Sequence, residues 1–363
     1  MISIDTNKRL PPELRVGSAG SHLYGIGLSL YPFGDQKRHS VYKPLLVFAI
    51  TIHIFVRNII PQIMQQMDQK VYLFIGDFAY FTGVPLHLNM TVSLIVFISM
   101  LSQCLNYYNY KRGIKPNDLN VFRMLSGYIS PNSIGIGDRL LVQRLLKTTK
   151  IVFKMANIGL NAMPVIVIAV FSLSFLTKVS PIEFWLIVIP HSLVYGISGY
   201  YIFAIIIWQF AYYYIITKYL TLKASSINSN LRAVLNTPGK RKHPVYYVSQ
   251  VCRQLDAIYR EIHEYDRNYW SKFLAIIWLT ISFIVSLMCF ITLYSRTNIV
   301  FKIFFIIAEL LFVSILLFLI QITSQIHIEC NKSNRLLNTL YLLSSQRHTP
   351  HLTLRVCFLM CLI

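Results

Sequence analysis

The stretch IEFWLIVIPHSLVYGISGYYIFAIIIWQFAYYYII, residues 182–216, contains no Lys or Arg and a single acidic residue, Glu183. About 20 apolar residues in a helix cross the ~30 Å hydrocarbon core of a bilayer, so this stretch is long enough to span a membrane. An apolar content of 55% with 13% charged residues excludes an ordinary soluble domain. Five other segments have the same character: Leu45–Ile60, Tyr80–Leu105, Met155–Leu176, Phe273–Tyr294 and Ile303–Ile322.

The cationic residues form alternating blocks between these six segments. Of the 34 Lys and Arg, 29 lie at or near one set of segment ends, in 1–44, 106–154, 217–272 and beyond 322. Lys and Arg are retained on the cytoplasmic side of a membrane, so we predict an all-α, polytopic membrane helix bundle with six full spans and a cytoplasmic N-terminus. The net charge of +20 then faces the anionic inner leaflet of the lipid bilayer, and no nucleic-acid partner is expected. The five cations on the other side are Arg57, Lys70, Lys178, Arg296 and Lys302.

Three segments next to the spans carry apolar residues at helical spacing. We predict that the fourth, fifth and sixth spans continue as helices beyond the membrane and bury these stripes in a cytosolic bundle that holds subunits together. The alternative is that each helix lies flat on the inner leaflet. The residues assigned to this anchor are Leu231, Leu255, Ile258, Ile262, Tyr265, Leu337 and Leu340.

The sequence contains no motif that indicates catalysis. We find no His-Glu-x-x-His, no paired Cys-x-x-Cys, no Gly-rich phosphate loop and no nucleophile elbow. We therefore expect neither an enzyme nor a cofactor or metal site. A multi-span transporter of small molecules is the stronger rival, although the chain shows no internal repeat and no paired broken helices. A voltage-gated channel would need an Arg-rich fourth span.

Four segments resemble the arthropod gustatory receptor family, which is related to insect odorant receptors. These segments are Tyr24-Gly-Ile-Gly-Leu-Ser-Leu-Tyr-Pro-Phe33, Lys223-Ala-Ser-Ser-Ile-Asn-Ser-Asn-Leu-Arg232, Leu255-Asp-Ala-Ile-Tyr-Arg-Glu-Ile-His-Glu264 and Cys330-Asn-Lys-Ser-Asn-Arg-Leu-Leu337. The similarity covers roughly residues 20–345 and is a pattern of apolar positions rather than a catalytic box.

The resemblance implies a chemosensory receptor of the plasma membrane that acts in taste perception. Members of that family are seven-span, ligand-gated, non-selective cation channels that assemble as tetramers, so the implied partners are small organic ligands, cations and related subunits in a homo- or hetero-tetramer. Their cytosolic helices form the anchor through which subunits meet. Their ligand pocket lies in the outer half of the bundle of the second, third, fourth and sixth spans.

The chain departs from the family pattern at the seventh helix. That helix carries a Thr-Tyr and Gln-Phe signature and should follow the loop that ends near Pro350, but the signature is absent. The segment His351–Ile363 reaches about 20 Å as a helix, which is shorter than a bilayer core. We therefore expect a truncated seventh helix, and an incomplete copy, a splice form and a non-conducting accessory subunit stay open as explanations.

These expectations divide the chain into six regions. They are 1–44, a cytosolic N-terminal segment; 45–216, membrane spans 1–4 with the cytosolic loop 106–154; 217–272, a cytosolic helical anchor segment; 273–322, membrane spans 5 and 6; 323–350, a cytosolic helix; and 351–363, the truncated seventh helix.

Aromatic residues are frequent in the outer halves of the spans. Aromatic walls with a few polar groups suit a small organic ligand, although the same residues also pack helices together or form an interfacial belt. The residues assigned to the pocket are Tyr80, His87, Phe171, Phe175, Tyr195, Tyr200, Phe304 and Phe305.

Two acidic residues near the predicted pocket have different predicted roles. Glu309 lies near the middle of the sixth span, where an ionisable group is expensive and needs a partner. We predict that it meets a cationic or hydroxylated ligand or biases gating as its charge state changes; the alternative is that it is neutral or hydrogen-bonded to a serine such as Ser172 or Ser174. Asp77, at the outer mouth of the second span, is predicted to be solvated.

Overall fold

Helices make up the described part of the chain, and that part contains no strand. The segments Tyr24–Phe33 and His351–Ile363, to which a span entry and a truncated helix were assigned, lie outside the described residues. The computed structural model describes residues 5, 7–11, 42–64, 68–77, 79–80, 85–112, 119–176, 178–236, 244–294 and 299–346. The helices are α1 Tyr42–Ile63, α2 Gln69–Ile75, α3 Pro85–Lys111, α4 Asn120–Leu125, α5 Arg139–Phe175, α6 Ile189–Asn236, α7 Pro244–Tyr265, α8 Ser271–Tyr294 and α9 Ile299–Gln346.

Six of the described helical segments are long and apolar enough to cross a membrane. The predicted all-α class with six apolar helices is thereby confirmed, and the segments are compatible with a membrane bundle. Many large apolar side chains on their surfaces are exposed, as in Trp185, Leu186 and Leu310, which suits contact with lipid tails rather than water. The six segments are Leu46–Ile63, Leu86–Leu105, Arg139–Phe175, Pro181–Ala233, Leu274–Tyr294 and Lys302–Leu340.

The helix α5 begins 16 positions before the predicted third span, because it starts at Arg139 rather than Met155. The Asp138 carboxylate caps it by accepting a hydrogen bond from the backbone N–H of Leu140 at 2.8 Å. The added turns are stable because Leu141, Leu145 and Thr149 bury one face of the helix. The end of the predicted loop 106–154 is therefore helical.

The helices α5 and α6 cross in close contact at two glycines of α6. A Cβ atom at Gly196 would lie 2.5 Å from Cγ1 of Ile168, and one at Gly199 would lie 3.2 Å from Cγ2 of Val167. The absence of side chains at these two positions lets the helix backbones approach, as small residues do between membrane helices.

The ends of α6 and α9 and the helix α7 pack together as a three-helix bundle. Both α6 and α9 contain 48 residues, or about 72 Å at 1.5 Å per residue, more than twice the thickness of a bilayer core. Five predicted anchor residues share one buried cluster, and Ile262 packs against both this cluster and the main core, where Tyr265 lies. The five are Leu231, Leu255, Ile258, Leu337 and Leu340.

The helix runs without a break from α7 into α8. A π-helical turn, Asp266–Trp270, joins the two segments, and this agrees with the single long helix predicted before and through the fifth span. A second π-helical turn, Phe184–Val188, follows the one-turn helix Pro181–Glu183 and leads into α6.

Candidate functional site

A buried guanidinium, that of Arg57, lies near the end of α1, with 8% of the residue exposed. Its Nε donates to the carbonyl oxygen of Ile75 at the end of α2, and its Nη2 lies 2.9 Å from Nδ1 of His191. The guanidinium also lies over the ring of Tyr195, 4.7 Å from the centroid. A buried cation needs such partners because its desolvation is costly. Arg57 therefore connects α1 with α2 and with the beginning of α6.

The imidazole of His191 is a bridge between Arg57 and the backbone of α2. Its Nε2 lies 3.0 Å from the carbonyl oxygen of Phe74. A carbonyl oxygen only accepts, so Nε2 carries the hydrogen and Nδ1 is left to accept from Arg57. This pair of bonds fixes His191 as the neutral Nε2–H tautomer.

The end of α2 has no room for a side chain beside this bridge. Gly76 has a positive φ of 74° and ends α2 with its N–H bonded to the carbonyl oxygen of Leu73 at 3.0 Å. A Cβ atom at Gly76 would collide with the guanidinium of Arg57 and would lie 3.0 Å from the ring of His191. Glycine at position 76 therefore allows both the left-handed backbone conformation and the close approach of the Arg57 and His191 side chains.

The carboxylate of Asp77, next in the chain, is buried, with 4% of the residue exposed. It accepts hydrogen bonds from Nδ2 of Asn89 at 3.2 and 3.3 Å and from the backbone N–H of Ala79 at 3.1 Å. Burial raises the pKa of Asp77, whereas these hydrogen bonds and the positive charge of Arg57 act in the opposite direction. The prediction that Asp77 is solvated is therefore wrong, since the carboxylate holds the connection between α2 and α3.

Three predicted pocket residues meet beside Arg57. The ring of Phe171 lies 4.8 Å from that of Tyr195 and 5.2 Å from that of Phe175, and all three are buried. The hydroxyl of Tyr195 donates to Oδ1 of Asn58 at 3.5 Å. Nδ2 of Asn58 is buried and has no partner among the described residues. We call this group, which consists of Arg57, Asn58, Phe171, Phe175, His191 and Tyr195, the Arg57 site.

The other predicted pocket aromatics lie in separate ring pairs. The observed ring contacts thus join Phe171, Phe175 and Tyr195 to one another, which are three of the eight aromatic and histidine residues predicted for the pocket. The pairs are Tyr80 with Tyr72 at 4.1 Å, His87 with Phe290 at 4.9 Å, Tyr200 with Tyr201 at 5.7 Å, and Phe304 with Phe305 at 5.9 Å between centroids.

The carboxylate of Glu309 is half-buried and forms no hydrogen bond or ion pair with the described residues. Neither predicted serine contacts it: the Ser174 hydroxyl donates to the carbonyl oxygen of Val170 at 2.8 Å, and the Ser172 hydroxyl is buried without a described partner. The ligand-binding role of Glu309 therefore stays a prediction.

Sequence reasoning missed Arg57, Asn58 and His191 as parts of one site. The available signal was a lone Arg inside an apolar helix, because a charge at that depth must find partners. Its neighbours come from α2 and from the beginning of α6, which are far from it in sequence, and no spacing rule would have identified them.

A second buried polar network lies where the bundle joins the membrane helices. The carboxylate of Glu261 on α7 forms an ion pair with Lys223 at 2.6 Å, and the side chains are only 8% and 11% exposed. It also accepts hydrogen bonds from the hydroxyls of Tyr219 at 3.1 Å and Tyr265 at 2.6 Å, and from Nδ2 of Asn120 at 3.3 Å. These five residues, the Glu261 network, connect α4, α6 and α7.

The desolvated charges of this network are compensated by direct contacts. Four donors surround one carboxylate, and a buried ion pair is tolerated only with such additional hydrogen bonds. Burial and the negative charge of Glu261 raise the pKa of the Tyr265 hydroxyl, so this hydroxyl keeps its proton and remains a donor to Glu261.

The bundle contains a third polar contact in its interior. The side chain of Asn228 donates to the backbone carbonyl and to the carboxylate of Glu329, at 2.9 and 3.0 Å, and accepts from the Ser333 hydroxyl at 2.6 Å. Because Asn228 and Ser333 are buried, these bonds fix the register of α6 against α9.

Comparisons with known proteins give no relative from which a role could be transferred: the chain matches no protein-family model, no curated protein and no solved structure. Among the described residues, no group of three or more His, Cys, Asp or Glu side chains is arranged to hold a metal ion. The Arg57 site is therefore the candidate site on its geometry alone. Its guanidinium, its buried amide and its aromatic wall suit a small organic molecule that carries an acceptor oxygen.

Proposed function

We propose that the chain is a gustatory-receptor-like chemosensory subunit of a ligand-gated, non-selective cation channel at the plasma membrane. The observation that carries this proposal is the combination of six membrane-compatible helices with a bundle, built from the ends of α6 and α9 and from α7, that extends beyond bilayer length. Such a bundle gives a rigid body through which subunits of a tetramer can contact one another. The sequence resemblance supplies the family, and the architecture is compatible with it.

The proposed ligand is a small organic tastant that binds at the Arg57 site. Phe171, Phe175 and Tyr195 would contact its apolar part, and the buried Nδ2 of Asn58 would donate to its oxygen. A buried donor without a hydrogen-bond partner destabilises the unliganded protein. A ligand whose oxygen accepts from this donor removes that cost and therefore binds more tightly.

Gating would follow from the position of the site between helices. Arg57 and Asn58 are on α1, Phe171 and Phe175 are on α5, and His191 and Tyr195 are on α6. A ligand shifts the equilibrium between two arrangements of these helices by its difference in affinity for them. The Glu261 network would then transmit a displacement of α6 to α7 and the bundle, because Lys223 and Tyr219 of α6 bind Glu261 of α7 directly.

The test is electrophysiological. The chain is expressed in cells alone and together with a conducting gustatory receptor, and whole-cell currents are recorded against a panel of small tastants. We expect a ligand-evoked cation current that reverses near 0 mV in at least one combination, and the Asn58→Leu variant should need about tenfold more ligand because a hydrogen bond of about 1.4 kcal/mol is lost.

The matched control is Asn161→Leu, since Asn161 is exposed on α5. Its dose–response curve should be unchanged. Uptake of a radiolabelled tastant without current would favour the transporter instead. A chain that assembles with the conducting receptor, but contributes no ligand-dependent change in its current, would identify a non-conducting accessory subunit.

A further inference from the structure

The exposed face of α5 carries a row of cations that continues directly into an apolar surface. At about 100° per residue, Arg144, Lys147, Lys150 and Lys154 fall within an arc of about 120°, so the four share one side of the helix. All four residues are exposed, and none forms a hydrogen bond or ion pair with the described residues. We call these four residues the α5 stripe.

The positive charge of the α5 stripe is not balanced by any acidic residue of the same helix. From Arg139 to Phe175, α5 contains no Asp or Glu, whereas its opposite face is buried from Leu141 onward. A solvated helix surface normally mixes both signs. A row of positive charges on one face of a helix is instead complementary to an anionic surface.

The exposed apolar side chains that follow the α5 stripe mark where α5 enters the hydrocarbon core. Ile151, Met155, Ile158 and Val165 are 53%, 62%, 54% and 66% exposed. From Met155 to Phe175 the helix measures about 30 Å, which equals the thickness of a bilayer core. Lys154 then lies at the edge of the core, and Lys150, Lys147 and Arg144 follow one to three turns outside it, at the depth of the headgroups and just beyond them.

We propose that the α5 stripe binds anionic phospholipid headgroups, and polyphosphoinositides in particular. A headgroup that carries phosphates on its inositol ring extends out of the interface, so its charges reach two or three turns of the helix at once. Phosphatidylserine, whose single net charge stays near the interface, reaches only Lys154 and Lys150. The inference rests on the membrane-compatible helices and on the predicted cytoplasmic position of this end of α5, and it does not depend on whether the protein conducts.

The binding experiment uses the full chain purified in detergent micelles and a fluorescent short-chain phosphatidylinositol bisphosphate as the probe. The variant Lys147→Gln/Lys150→Gln/Lys154→Gln should bind it about 100-fold more weakly, because each basic residue at an anionic surface strengthens attachment about fivefold. The matched control, Arg232→Gln/Arg253→Gln/Arg335→Gln, removes the same charge from exposed positions of the bundle and should bind as the native chain does.

Three results would overturn the proposal. They are equal binding by the native and stripe variants, an equal loss in the control variant, and displacement of the probe by soluble inositol trisphosphate with the affinity of the lipid itself. The last result would mean that the stripe recognises free phosphates rather than a membrane lipid.

A second measurement needs no variant. A photoreactive phosphatidylinositol bisphosphate, crosslinked to the native chain in nanodiscs, should label peptides that contain residues 144–158. Labelling confined to other cationic regions, such as 253–272, would contradict the assignment of the site to α5.

Discussion

At the residue scale, the buried charges are the positions at which single substitutions have the largest effect. Replacing Lys223 with Met leaves the carboxylate of Glu261 desolvated and without its counter-charge. We expect the free energy of unfolding to fall by about 3–5 kcal/mol, and this is measured from the midpoint of unfolding in a dodecyl sulfate titration.

The control for this substitution is the exposed ion pair between Asp256 and Arg260 on the same α7 helix. Arg260→Gln should leave the midpoint unchanged, because exposed pairs contribute little. The double variant Lys223→Met/Glu261→Gln should recover most of the loss, since a neutral amide no longer needs a cation. A double variant as unstable as the single one would show that packing of the lysine stem, not charge, stabilises this region.

The buried thiol of Cys252 gives a pH-dependent prediction. Burial raises the pKa of Cys252 to about 11 from an ordinary value near 9, and the thiolate is the reactive form. At pH 8 its alkylation by iodoacetamide should therefore be about 100-fold slower than in the unfolded chain. The rate should rise tenfold per pH unit up to about pH 11, as followed by mass spectrometry of the modified peptide.

An exposed thiol on the same helix provides the comparison. In Ala257→Cys, at an exposed position, the rate should level off near pH 9 and should exceed that of Cys252 throughout. Equal rates at the two positions would contradict the burial of the Cys252 thiol.

Residue-level function was the part that the sequence predicted least well. Phe171, Phe175 and Tyr195 were selected as aromatic residues in the outer halves of the spans, and they do meet. The sequence predicts a solvated Asp77, because charge near a span end is normally solvated, but the fold covers it with α2 and α3. The burial of such a charge depends on how loops pack and cannot be read from the local composition.

At the scale of elements, the crossing of α5 and α6 depends on the lack of side chains at Gly196. A Cβ atom there would lie 2.5 Å from Cγ1 and 2.7 Å from Cδ1 of Ile168. We expect Gly196→Ala to lower the temperature of unfolding by several degrees, because Cγ1 lies next to the backbone and cannot rotate away. The measurement is thermal unfolding in detergent, followed by tryptophan fluorescence.

Gly159→Ala is the matched control, as its Cβ atom would meet only Cδ1 of Ile207 at an ordinary 3.8 Å. This variant should be neutral or slightly stabilising, because alanine favours a helix. Combining Gly196→Ala with Ile168→Ala should restore stability. If it does not, the cost at Gly196 arises within α6 itself rather than at the crossing.

Periodicity predicted the helical elements well where one face is buried along a whole helix. The anchor stripes of α6, α7 and α9 recur at spacings of three and four and form the bundle. The first turns of α5 lie in the predicted loop 106–154, because cations dominate the composition there. Leu141, Leu145 and Thr149 nevertheless carry the same periodic signal between Arg144, Lys147 and Lys150.

At the scale of the whole molecule, the helix directions place the Arg57 site and the bundle at opposite ends of the spans. We predict that the end carrying Lys70 and Lys178 faces the outside and that the bundle faces the cytoplasm. In intact cells a membrane-impermeant maleimide should label Lys70→Cys and Lys178→Cys. It should label Lys150→Cys and Arg253→Cys only after permeabilisation.

The reverse labelling pattern would overturn the predicted orientation and, with it, the assignment to the gustatory receptor family. The orientation stays a prediction that rests on charge placement alone, which responds to the membrane as a whole and needs no knowledge of side-chain contacts.

The π-helical turn at Asp266–Trp270 has the geometry of a one-residue insertion into an α-helix. Upstream, Leu255, Ile258 and Tyr265 are buried, and downstream Ile277, Ile281 and Ile284 are buried. Extended by sevens past the turn, the position of Leu255 falls at 276 and 283, one residue before Ile277 and Ile284, and the wide turn absorbs that offset. Removing one of the five residues would therefore leave a regular helix with both buried faces still aligned, so the chain can lose a residue there without rotating the bundle against the membrane helices.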